Sequence, residues 1–158
     1  MIRILLLSIC LASPVVAQEP AMTPERLLNI ITDVDPEASA TPRGIELTID
    51  DIPILVVFAP QADRMRAMVP IASVEDVTPE EMERMMQANF DTALDARYAV
   101  AQGRLWGVFI HPLSPLKREQ LLSGLVQTVN IARTYGQSYS GGAQHFGGGD
   151  SAEIGPAN

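Results

Sequence analysis

Apolar positions along the chain change period several times, and each change marks an element. Leu27, Leu28, Ile31 and Val34 fall at offsets 0, 1, 4 and 7, one face of a helix. Thr23-Pro24-Glu25 starts it with a capping hydroxyl, a proline at the first helical position and an acid near the positive end. Asp35-Pro36 stops it. Ile45, Leu47 and Ile49 then alternate with Glu46 and Thr48, the pattern of a half-buried strand. Asp50-Asp51 turns the chain into Ile52–Ala59, a run apolar on both faces and so expected to be central and covered on both sides. After a turn at Pro60–Asp63, Met65, Ala67, Val69 and Ile71 alternate with Arg64, Arg66 and Met68. Short turns between these three strands predict an antiparallel meander.

Thr78-Pro79-Glu80-Glu81 has the form of a capping box and predicts a second helix, with Met82, Met85, Met86, Phe90 and Ala93 at offsets 0, 3, 4, 8 and 11. Arg97–Ala101 and Leu105–Ile110 flank Gln102-Gly103 as a hairpin. Ser114-Pro115 opens a third helix, whose stripe is Leu121, Leu122, Leu125, Val129 and Ala132 and whose stop is Gly136. From Gln137 the chain is rich in Gly, Ser, Ala and Gln, without the apolar area to offset its ordering entropy, and a flexible tail is expected. The predicted fold class is α+β: helix, three-stranded antiparallel meander, helix, two-stranded hairpin, helix, with a disordered C-terminal tail.

The first residues have a different logic. One positive charge at Arg3, the apolar run Ile4–Ala12, the breaker Ser13-Pro14 and the small residues of Val15-Val16-Ala17 form the three parts of an export signal. The apolar run is well short of the roughly 20 residues a spanning helix needs, and no later segment is a transmembrane candidate. The expected organisation is a signal peptide over 1–17, an N-terminal arm over 18–22, one α+β domain over 23–136 and the tail over 137–158. Cleavage after Ala17 also removes Cys10, the single cysteine, which suits an oxidising periplasmic or secreted location. Ile9 before Cys10 speaks against lipid attachment there.

The stretch Met85-Met86-Gln87-Ala88-Asn89-Phe90, then Tyr98-Ala99-Val100-Ala101, Leu105-Trp106-Gly107-Val108-Phe109-Ile110 and Pro112-Leu113-Ser114, carries a resemblance. In this order of elements the chain resembles the CesT/Tir-type chaperones of type III secretion and the related YbjN-type domains, here in an exported version. The likeness covers roughly Thr23–Tyr135. It implies a non-enzymatic binding module engaging a protein or peptide, and no cofactor.

Charge and chemistry narrow the picture further. Eleven Lys+Arg against nineteen Asp+Glu leave a net charge of −8, against a nucleic-acid partner. The acids Glu75, Asp76, Glu80, Glu81 and Glu83 sit at a helix start, where they complement its dipole, and Thr78-Pro79 interrupts any calcium-loop spacing. His111 ends a strand without a sequence-local partner. His145 lies in the expected tail. A competing enzyme reading has to assemble distant residues such as His111, Asp91 and Arg97. No catalytic or metal residue is assigned. The methionines offer more, because Met is adaptable and recurs on binding surfaces. Met82, Met85, Met86, Phe90 and Trp106 are therefore the candidate partner-binding residues. Three amphipathic helices cannot cover both faces of a five-stranded sheet, so a homodimer through the methionine-rich second helix is expected.

Overall fold

The computed structural model describes residues 19–144 and Phe146; the expected signal peptide, His145 and the end of the tail lie outside the described residues. The chain runs α1 (Pro24–Val34), β1 (Ser39–Thr41), β2 (Gly44–Ile49), β3 (Ile52–Ala59), β4 (Arg64–Ser73), α2 (Pro79–Asp91), β5 (Arg97–Ala101), β6 (Arg104–Pro112) and α3 (Arg118–Arg133). The strands form one antiparallel sheet in the order β1-β2-β3-β4-β6-β5. The α+β order read from the sequence is present, with one strand added. Ser39–Thr41, for which the sequence pattern predicts no element, pairs with β2 as a short edge strand through its backbone, and that pairing leaves no apolar period to read.

Local signals act where they were read. Thr78 accepts a hydrogen bond on its hydroxyl from the Glu81 N–H at 3.2 Å, and Glu81 accepts one from the Thr78 N–H at 2.8 Å, closing the capping box. These bonds hold the Glu81 carboxyl below its usual range, the Thr78 backbone N–H first among them. Gln102 and Gly103 both take positive φ, 53° and 69°, as a tight hairpin turn requires. The third helix starts later than Ser114-Pro115 suggests. The Ser114 N–H and hydroxyl both bond to the Asp63 carboxylate, at 2.6 and 2.9 Å, and Leu116 is buried, so the helix opens only at Arg118.

One sheet face carries the three α-helices among the described residues. Leu27, Ile30 and Ile31 of α1 and Leu121, Leu125 and Val129 of α3 pack on Ile45, Leu47, Ile54, Val56, Met65, Ala67, Val69 and Phe109. Met85 and Ala88 of α2 join a neighbouring cluster with Tyr98, Leu105 and Ile131 on that same side. This corrects one expectation. In β3 only Ile54 and Val56 are buried, whereas Leu55 and Val57 on the other side are half-buried, so the strand is not covered on both faces. Nor does α2 reach across to the second face, because Met85 and Ala88 are fully buried beside β5.

The end of the domain also moves. Tyr139 is 6 % exposed and packs in the α2 cluster, with Tyr98 and Tyr135 edge-on at 5.9 and 5.8 Å. The Thr92 hydroxyl donates to the Tyr139 carbonyl at 2.9 Å, and the Gly141 N–H donates to the Thr92 carbonyl at 2.9 Å. Residues 139–142 therefore belong to the packed unit; a single aromatic without periodic neighbours carries them in. No described helix is long and apolar enough to cross a membrane.

Candidate functional site

The helix α2 is amphipathic in an unusual sense: methionines occupy both its inner and its outer side. Met85 is fully buried and Met82 is half-buried against the inner cluster, while Met86 is 50 % and Phe90 70 % exposed. Met86 and Phe90 are four residues apart and share one helical face, where they form an apolar ridge. Of the candidate partner-binding residues, Met85 is thus corrected to core. Trp106 lies elsewhere. It sits on the helix-free face of the sheet, donates its indole N–H to the Ala101 carbonyl at 3.1 Å, and carries the Arg104 guanidinium 6.0 Å above its ring.

That second face can be reconstructed from register, since residues paired across antiparallel strands share a side. Leu55 pairs with Met68, Met68 with Val108, and Val108 with Arg97. One level away, Val57 pairs with Arg66 and Arg66 with Ile110; beyond it lie Ala59 and Arg64. On the other side Pro70 pairs with Trp106 and Trp106 with Ala99, followed by Arg104 opposite Ala101. The face is an apolar band of Leu55, Val57, Met68, Trp106, Val108 and Ile110, bounded by Arg64, Arg66, Arg97 and Arg104. The signal for these arginines was the alternation in β4, yet only the cross-strand register brings all four to one side.

A cleft of about 530 Å³, sharing Arg97, Val108 and Ile110 with this face, opens where β5 begins at the level of Val108 and β6 continues alone on that side. His111, Arg97, Asp95, Glu119 and Ser123 line it. The structure brings His111 and Arg97 together, but Asp91 is not with them; it is buried at the end of α2, and its carbonyl accepts the Phe146 N–H. The His111 Nδ1 lies 2.7 Å from the Pro112 carbonyl, a contact that places a proton on Nδ1. The Ser123 hydroxyl accepts from the Gln127 side-chain amide at 3.0 Å. Of the distant residues such as His111, Asp91 and Arg97 from which an enzyme site has to be assembled, His111 and Arg97 line one cleft and Asp91 does not.

Comparison with solved structures bears on the fold. A chain of the HopA1–SchA chaperone–effector complex superimposes with a TM-score of 0.56 at 10 % identity, over 70 % of this chain and 91 % of that one. The fold is secretion-chaperone-like. A chain of the ExsC–ExsE complex superimposes with a TM-score of 0.52 at 13 % identity, over 69 % of this chain and 86 % of that one. No family model and no curated protein matches the sequence. On this chaperone-like fold the two apolar surfaces, the α2 ridge and the helix-free sheet face, lie apart, so each can serve a different contact.

Proposed function

We propose that this chain is an exported, non-enzymatic protein-binding module that self-associates through α2. The observation that carries the reading is the exposed pair Met86 and Phe90 on a helix whose inner side is already satisfied by Met85 and Ala88. Two large apolar side chains held side by side at the surface gain by leaving water, and a two-fold axis through the ridge lets each copy cover the other's. Likeness to a chain from a chaperone–effector complex supports a protein as the ligand. The charged start, apolar run and small-residue step of residues 1–17 support export.

Light scattering at micromolar concentration tests the association. The wild type has the mass of a dimer, and Met86→Glu or Phe90→Glu shifts it to a monomer that still folds cooperatively, because both side chains are exposed within one copy, and that melts lower only by what association contributed. A wild-type monomer defeats self-association. For export, N-terminal sequencing of the native protein begins close to Gln18, and an intact Met1 on cytoplasmic protein defeats it.

A further inference from the structure

The helix-free sheet face has the composition of a docking surface and a charge opposite to that of the molecule as a whole. Net charge is −8, yet the four arginines bounding the apolar band, Arg64, Arg66, Arg97 and Arg104, are all exposed. None of them forms a salt bridge among the described residues, whereas Arg26, Arg43, Arg118 and Arg133 each pair with a carboxylate. Arg64 and Arg97 make their own hydrogen bonds to the carbonyls of Asp63 and Ala96, and Arg104 lies over Trp106. Their guanidinium groups therefore keep most of their donors free. On the strands themselves the one acid of this face is Glu46, already paired with Arg43; the other acids lie at its edges, Asp35 and Glu37 in the cleft beside Leu55 and Trp106, and Asp95 and Glu119 in the cleft beside Arg97 and Ile110.

The apolar band between them is open except at Val108, which is buried. Ile110 is 52 % exposed, and Leu55, Val57, Met68 and Trp106 are half-buried with no helix above them. Two clefts notch the band: one of about 420 Å³ touches Leu55, Pro70 and Trp106, and one of about 440 Å³ touches Val57, Arg66 and Ile110. An apolar centre with an arginine-bearing rim is the usual build of a protein interface, where Arg and Trp are enriched.

We infer that this face binds an acidic amphipathic segment of a partner protein, with apolar side chains seated on Leu55, Met68, Trp106 and Ile110 and flanking carboxylates on the arginines. The inference deepens the protein-binding reading above and rests on it for the class of ligand. Charge decides the occupant. A second copy placed on this face by a two-fold axis would bring arginine against arginine, and like charges across an interface are costly. A carboxylate-bearing segment meets the same groups with charge-assisted, partly bidentate hydrogen bonds.

The probe is a fluorescein-labelled 18-residue helical peptide with a leucine stripe flanked by glutamates, and a counterpart with lysines in place of every glutamate. Anisotropy with the full-length mature protein shows binding of the glutamate peptide, at least about tenfold tighter than the lysine peptide and weakening as salt rises. Arg66→Glu with Arg97→Glu weakens the glutamate peptide by about tenfold or more and lets the lysine peptide bind. Ile110→Asp weakens both, and thermal melts confirm that all variants fold. Equal affinity for the two peptides, or no effect of the arginine changes, overturns the inference. So does arginine-dependent binding to phosphatidylglycerol vesicles without peptide binding, which assigns the face to a membrane. An arginine-dependent change in the light-scattering mass also overturns it, in favour of a second copy. If the peptide fails while Phe90→Glu still changes the mass, only this inference falls; if the peptide binds a wild-type monomer, only self-association falls.

Discussion

The ring of Phe109 occupies the space that a side chain on Gly124 would need. A Cβ at Gly124 would lie 2.5 Å from two of the ring carbons, closer than packed atoms approach. The missing side chain lets α3 settle directly onto β6, and Phe109 is one of the residues that unites α1, α3 and the sheet. Gly124→Ala sets two effects against each other. A mid-helix alanine gains about 1 kcal/mol in propensity, while overpacking costs about 1–3 kcal/mol. The clash is with a buried ring that has little room to turn away, so the melting temperature falls, and pairing the change with Phe109→Leu recovers it. A single mutant that melts higher than wild type shows that the ring yields freely.

Tyr139 ties the chain after α3 to the end of α2. Its ring is buried between Tyr98 and Tyr135, and Gly141 passes so close to Ala93 that an added Cβ would meet the Ala93 carbonyl oxygen at 2.2 Å. Tyr139→Ala is expected to cost about 3 kcal/mol, the low end for deleting a buried aromatic. Truncation after Gly136 destabilises by a similar amount, and truncation after Phe146 does not. Equal melting temperatures for all three chains show that this segment contributes nothing to the fold.

Tyr98 makes the domain sensitive to alkali. Its phenol donates to the Ile131 carbonyl at 2.7 Å, and burial raises its pKa well above the ordinary tyrosine value. The unfolded chain ionises near the ordinary value of about 10 while the folded one stays neutral. The stabilisation is complete below that pH and is lost as pH rises toward the folded pKa. Urea midpoints measured from pH 8 upward fall steeply for wild type. Tyr98→Phe starts lower by about 1 kcal/mol, the worth of one hydrogen bond, and falls less. Parallel curves for the two proteins place the alkaline sensitivity elsewhere.

Asp63 staples two distant turns. Its own φ is 50°, and its carboxylate accepts both donors of Ser114, fifty-one positions further along. Those hydrogen bonds, the backbone N–H first, hold its pKa below the usual aspartate value. A lowered carboxyl stabilises the fold above the unfolded pKa of about 4 and ceases to do so as pH falls through the folded pKa. Asp63→Ala therefore melts lower than wild type at neutral pH, and the gap closes in strong acid. A gap that persists unchanged there shows that Asp63 acts through its backbone geometry alone.

The kind and order of the main elements were legible in the sequence, because caps, breakers and hydrophobic periods are local. Thr78 and Glu81 close their box within one helical turn, and Ile45, Leu47 and Ile49 alternate whatever lies beyond them. The edge strand β1 escaped, since backbone pairing needs no apolar side chain. The docking of Tyr139 escaped too, since one aromatic has no period. The side of the sheet that α2 takes is settled by packing between distant segments. Either face would accept an apolar helix stripe, and the choice falls to Met85 and Ala88 meeting Tyr98, Leu105 and Ile131. That choice leaves Met86 and Phe90 outside on α2 and the second sheet face bare. It also separates Trp106 from the methionines beside which the sequence had grouped it. The arginine rim belongs to the same level: Arg64 and Arg66 are neighbours in sequence, but Arg97 and Arg104 join them only through the register of β4, β6 and β5. Register is set by contacts between residues dozens of positions apart, and no local pattern encodes it.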